Sequence, residues 1–158
     1  MRIAAALLLM MTASSALSSP TDAATTSVPF TSTVLSTCVL TVGTPGVLAP
    51  NSDYTVLDSQ EAGGTSSIVT DTSTGASYSV STDAPSSFNV APTGGNDNLT
   101  FEASYQGTGA TTIGSTLGTV STLLGLGLTT VTLDLKATKS TGVFPQGAYT
   151  TEVVVRCE

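Results

Sequence analysis

Cysteine occurs only twice among the 158 residues, as Cys38 and as the penultimate Cys157. A bond between them would tie the beginning of the folded part to its last strand-like run. It would close a loop of about 119 residues, and in the chain-entropy view such a closure stabilises by at most about 4–5 kcal/mol. Two free thiols, or pairing between chains, are the alternatives. Cys157 ends an alternating run that starts at Tyr149, and residues 129–138 alternate in the same way. The turn-rich stretch 140–147 separates the two runs, so they read as a hairpin closing a sheet.

A disulfide needs an oxidising compartment, and the N-terminus supplies a route to one. Arg2 is followed by an unbroken apolar run over residues 3–11, then by Ser14 and Ala16 at the positions that suit cleavage after Ala16. Ala24 marks an alternative cleavage point, with Asp22 less suitable three residues before the cut. The run is too short for a bilayer, which needs about 20 apolar residues. Residues 1–16 therefore read as a secretory signal peptide, residues 17–25 as a flexible connector, and residues 26–158 as a single β-sandwich domain. The expected location is the periplasm, the cell surface or the medium, with no transmembrane segment in the mature chain.

Beyond residue 16 the cations are Lys136, Lys139 and Arg156, against eleven acidic residues, so the net charge is 3 − 11 = −8. A phosphate backbone needs a basic footprint, and this acidic chain has none, so nucleic acid is not an expected partner. Threonine, serine, valine and glycine dominate, a composition that suits pleated strands joined by turns.

Read in order, residues 26–35 form a first strand in which Val28, Phe30 and Val34 share an alternating face and Pro29 favours an edge. Residues 39–42, 54–57 and 67–70 follow as short strands. A turn is expected over 71–75, then a strand over 76–81. Residues 99–105 make a well-defined strand with Leu99, Phe101, Ala103 and Tyr105 on one face. Residues 107–127, rich in glycine, read as a long loop with some strand rather than a helix. Seven to nine short strands without an amphipathic helix predict an all-β, immunoglobulin-like sandwich, mostly antiparallel.

Motifs for catalysis are weak. With no histidine, Ser-His-Asp and Cys-His chemistry and histidine-ligated zinc are ruled out. No Ser-x-x-Lys spacing exists, and Lys136 and Lys139 read as solvated charges at a strand end. Asp58 with Glu61 reads as a solvated loop rather than an acid–base pair. Asn96, Asp97 and Asn98 could offer oxygens to calcium, but Gly-Gly-Asn-Asp is equally a natural turn. Asn98-Leu99-Thr100 matches a glycosylation sequon of low specificity. No catalytic residue, cofactor or metal is expected.

The stretch from Gly142 through Tyr149 into Val153-Val154-Val155, with Ser36-Thr37-Cys38 ahead of an early strand, resembles bacterial fimbrial subunits. It is most similar to the spore-coat-U and archaic chaperone–usher group, over about a third of the chain. The resemblance implies an exported, immunoglobulin-like, polymerising subunit of the cell surface with no catalytic residues. Such subunits usually carry their second cysteine near the end of the second strand, where Val69-Thr70-Asp71 stands here. Cys157 departs from that pattern and would suit a self-complete sandwich. For residues 26–35 the expected course is pairing within their own sandwich. The other course is donation of Val28, Phe30 and Val34 to a groove in a copy of the chain or a related surface subunit. Two functions thus compete, a structural or adhesive subunit and a monomeric secreted module that binds a ligand through its loops.

Overall fold

The computed structural model describes residues 25–158. The signal-peptide reading, both cleavage points and residues 17–24 of the connector lie outside them. The compact β unit runs Thr33–Glu158. Ten strands build it: β1 (Cys38–Thr44), β2 (Ala49–Pro50), β3 (Val56–Asp58), β4 (Ser67–Ser73), β5 (Ser79–Asp83), β6 (Leu99–Gly109), β7 (Ile113–Leu117), β8 (Thr122–Leu123), β9 (Gly127–Lys139) and β10 (Val154–Cys157). No helix occurs among the described residues. The fold is all-β, with two antiparallel sheets and a disulfide between Cys38 and Cys157.

The larger sheet is organised around β9. One edge of β9 pairs with β6 from Leu99↔Lys139 to Gly109↔Thr129. Its other edge is shared: β4 takes the stretch from Gly127 to Leu133, and β3 takes Lys136 to Thr138. At the fork between them sits Asp134, whose Oδ1 accepts hydrogen bonds from Ser59 Oγ at 3.0 Å and from Ser66 Oγ. Beyond these, β7 extends the sheet past β6, β1 past β4, and β2 past β3. The smaller sheet has the order β10-β5-β8.

Period-two alternation explains which faces close together. Along β9, Thr129, Val131, Leu133, Ala137 and Lys139 are buried, and along β6 so are Ala103, Tyr105 and Gly107. Val69, Val80, Tyr105, Ile113, Leu124, Val131 and Leu133 form one core cluster, with Val155 and both cysteines packed against it. The Tyr105 hydroxyl lies 2.7 Å from the Val120 carbonyl and 3.0 Å from that of Val80, fastening β6 to the smaller sheet. A second cluster holds Leu57, Phe88, Ala137 and Phe144, with Phe101 and Tyr149 against it. Its rings meet edge to face, with Phe88 centred 4.9 Å from both Phe101 and Tyr149. Each such pair adds about 0.5–1.5 kcal/mol beyond area burial.

Four expectations change. The two closing runs are not a hairpin, because β9 belongs to the larger sheet and β10 pairs with β5 in the smaller one. Residues 26–35 form no strand, and Val28, Phe30, Val34 and Leu35 are 67%, 94%, 77% and 73% exposed. The chain does not turn at Asp71, which lies inside β4 and is wholly buried. Lys139 is not a solvated charge but 7% exposed.

Candidate functional site: an apolar groove stapled at one end

β1 is an edge strand. Among the described residues it pairs only with β4, and β10 pairs only with β5. Each therefore presents one row of backbone groups outside any ladder, the condition that invites a further strand. Between β1 and the segment leading into β10 runs a groove of about 1420 Å³. Val69, Leu133 and Leu135 form its floor, Leu40 and Val42 line it from β1, and Val153 and Val155 line it from the opposite side. Those two valines are half-buried and alternate with exposed Glu152 and Val154. Asp134 and Glu152 are the acidic residues on the lining.

Cys38 opens β1 and Cys157 ends β10, and their Cα atoms stand 6.3 Å apart. An inserted strand would need its flanking strands about 9.5 Å apart, twice the interstrand spacing. The disulfide therefore shuts the groove at this end. The chain ahead of Cys38 keeps the line of β1 past the staple. Thr74 N donates to Thr37 O at 2.9 Å, and Thr74 Oγ1 donates to Leu35 O at 2.7 Å. Thr37 N in turn donates to Thr74 Oγ1 at 2.8 Å. Residues 35–37 are thus pinned alongside the end of β4, directed away from the groove.

Beneath the disulfide lies Asp71. Its Oδ1 is 2.8 Å from Cys38 Sγ, it is 0% exposed, and its Oδ2 has no hydrogen-bond partner. Burial pushes its carboxyl above the ordinary value of 3.8. The donor atoms of Cys38, Asp71 and Cys157 converge, but the two sulfurs are bonded to each other, so the cluster is a covalent staple over an acid.

The remaining sequence candidates stay apart. Asp58 Oδ1 accepts from Gln60 N at 2.9 Å in a local turn, and Glu61 is exposed. Asn96 spends its amide on the backbone of Phe88, accepting from N at 2.9 Å and donating to O at 3.2 Å. The carbonyls of Gly94 and Asp97 receive the Lys139 ammonium at 2.8 and 2.6 Å, so this turn holds a side-chain cation. Lys136 is exposed. The groove itself escaped sequence reading, although the alternation of Val153 and Val155 was its visible trace.

Together these features define a disulfide-stapled, all-β module whose outstanding surface is an open apolar cleft between two strand edges. Comparison of the chain with protein-family models, with curated proteins and with solved structures found no match.

Proposed function

We propose that this protein is an exported, non-catalytic structural subunit of the cell surface that joins to copies of itself by strand donation. In this reading residues 26–35 of one copy occupy the groove of the next. The observation that carries it is the groove, lined mainly by apolar side chains and flanked by two strand edges with free backbone groups. Its volume exceeds the roughly 300–1,000 Å³ of ordinary small-molecule sites, which favours a length of polypeptide over a compact ligand. Val28, Phe30 and Val34 offer an alternating apolar face, and they are exposed within their own chain.

A second copy is favoured over self-filling by the pinning of residues 35–37. To reach its own groove the chain would have to reverse where it is held straight by Thr74. Donation from copy to copy is head-to-tail, and contacts of that kind propagate unless the rotation closes a ring. The immunoglobulin-like architecture and fimbrial character implied by the resemblance to spore-coat-U and archaic chaperone–usher subunits agree with this scheme.

Light scattering after size exclusion, on mature protein and on a variant lacking residues 25–35, tests the proposal. Mature protein is expected as a ladder of multimers and the deletion variant as a folded monomer. A synthetic peptide of residues 25–35 should then bind the deletion variant. Mature protein that stays monomeric at high concentration, or a deletion variant that still multimerises, would overturn the proposal.

A further inference from the structure

The contact between Asp71 and the disulfide defines a chemical site independent of the groove. A sulfur in a disulfide carries no hydrogen and can only accept, and weakly. Oδ1 nevertheless stands 2.8 Å from Cys38 Sγ. A hydrogen bond at this distance must take its proton from the carboxyl. A carboxylate there would instead set a negative charge against a lone-pair-rich sulfur in a site closed to water, with Oδ2 unpartnered.

Among the described residues, the surroundings contain no cation free to hold the charged form. On β1 the residues from Cys38 to Thr44 are uncharged, and on β9 Asp71 faces Thr129, with Leu128 and Thr130 beside it. Lys136, Lys139 and Asp134 lie further along β9, beyond its pairing with Asp71. On β10, Arg156 is engaged by Asp83 and Glu158. Tyr78, packed on the same cluster, lies within 3.5 Å of Ser36 Oγ through its hydroxyl.

We infer that Asp71 is a neutral carboxylic acid at neutral pH, and that it makes the Cys38–Cys157 bond a thiol–disulfide exchange site with a built-in proton donor. Asp71 adjoins Cys38, so Cys38 is the leaving sulfur and Cys157 the sulfur attacked. A small-molecule thiolate forms a bond to Cys157 Sγ as the Cys38–Cys157 bond breaks. The electron pair goes to Cys38 Sγ, which takes the Asp71 proton and becomes a thiol, leaving Asp71 a carboxylate. A second thiolate then attacks the external sulfur of the mixed disulfide, releasing the Cys157 thiolate. The protein disulfide gains two electrons, and two external thiolates become one disulfide. In the forming direction the Asp71 carboxylate is the base that removes the Cys38 proton, so the same residue would assist closure of the staple after export.

The test uses the folded, oxidised mature protein and a small monothiol, with the thiolate concentration held constant as pH is varied. The unsubstituted protein should open about tenfold or more faster than Asp71→Asn at neutral pH, as loss of a positioned acid requires. Its rate should fall as pH rises and Asp71 ionises, whereas Asp71→Asn should show a flat profile. Trapping with an alkylating agent should find the first mixed disulfide on Cys157 and the first free thiol on Cys38. Infrared spectroscopy of the unsubstituted protein should show a buried, protonated carboxyl band at neutral pH that Asp71→Asn lacks. No such band, coincident pH profiles, or a first mixed disulfide on Cys38 would each overturn the inference. The infrared measurement needs only the native chain, so it decides the protonation state even if the variant fails to fold.

Discussion

Two buried charged residue types show how a single side chain can be misread from its letter. Lys139 closes β9 with its ammonium on the carbonyls of Gly94 and Asp97, and the same nitrogen stands 5.3 Å from the centre of the Phe144 ring. Hydrogen bonds to a charged group contribute about 1.5–3 kcal/mol. Lys139→Met keeps the aliphatic stem and removes the donor, so it should destabilise the protein by about 2 kcal/mol, measured by urea unfolding. An unchanged midpoint would mean that water replaces the ammonium freely. The sequence around Asp71 predicts a turn because aspartate is usually solvated and favours turns. What the pattern could not display is that both neighbouring strands and the disulfide cover it. Sequence reading identified Cys38, Cys157 and the alternating tail residues as the chain's distinctive positions, but the acid beneath the staple carries no local signature.

At the level of elements, strong alternation was legible and partnership was not. β6 emerged with the expected face, Leu99, Phe101, Ala103 and Tyr105, and residues 107–127 proved to be loop and strand, holding β7 and β8. The alternation predicts both β9 and β10 as strands of one hairpin, whereas they lie in different sheets. Period-two patterning states which side chains share a face and leaves open which strand lies alongside. The intervening residues 140–153 are long enough to cross to the other sheet. Residues 26–35 carry the alternating pattern of a strand for the same reason, yet form none. Gly118 illustrates a requirement between elements. Its amide donates to Ala103 O and its carbonyl accepts from Thr82 N, so it ties β6 to β5. A Cβ there would clash with Thr82 Oγ1 and lie 2.9 Å from Thr82 O. Gly118→Ala must push the two sheets apart locally, and overpacking of this kind costs about 1–3 kcal/mol. Loss of that size should appear in thermal unfolding together with faster amide exchange at Thr82. A variant as stable as the parent would mean that the loop moves aside.

For the whole molecule the dominant long-range term is charge. The full chain carries a formal −7 at pH 7, so copies repel one another on approach even where apolar surfaces match. The groove contributes Asp134 and Glu152, while residues 25–35 contain no charged group. The contact itself is thus neutral against acidic, and the repulsion comes from the remainder of the two surfaces. Raising the salt from about 0.1 M to 1 M shortens the screening length from about 10 Å to about 3 Å. Multimer formation should therefore accelerate with salt, followed by light scattering over time. A rate that falls with salt would point to an attractive ionic contact in place of the apolar one.

The staple also determines how such a module would bear load. Tension on the tail meets first the hydrogen bonds between residues 35–37 and Thr74, and then Cys38, the first residue of an edge strand that could otherwise be peeled from β4 one hydrogen bond at a time. The covalent link passes that pull directly into β10 and the smaller sheet. In a file of joined copies the two strands gripping the neighbour's segment are the two strands that the link connects. Force would then be carried in shear across a whole strand, and peeling would begin only after a sulfur–sulfur bond had been cut.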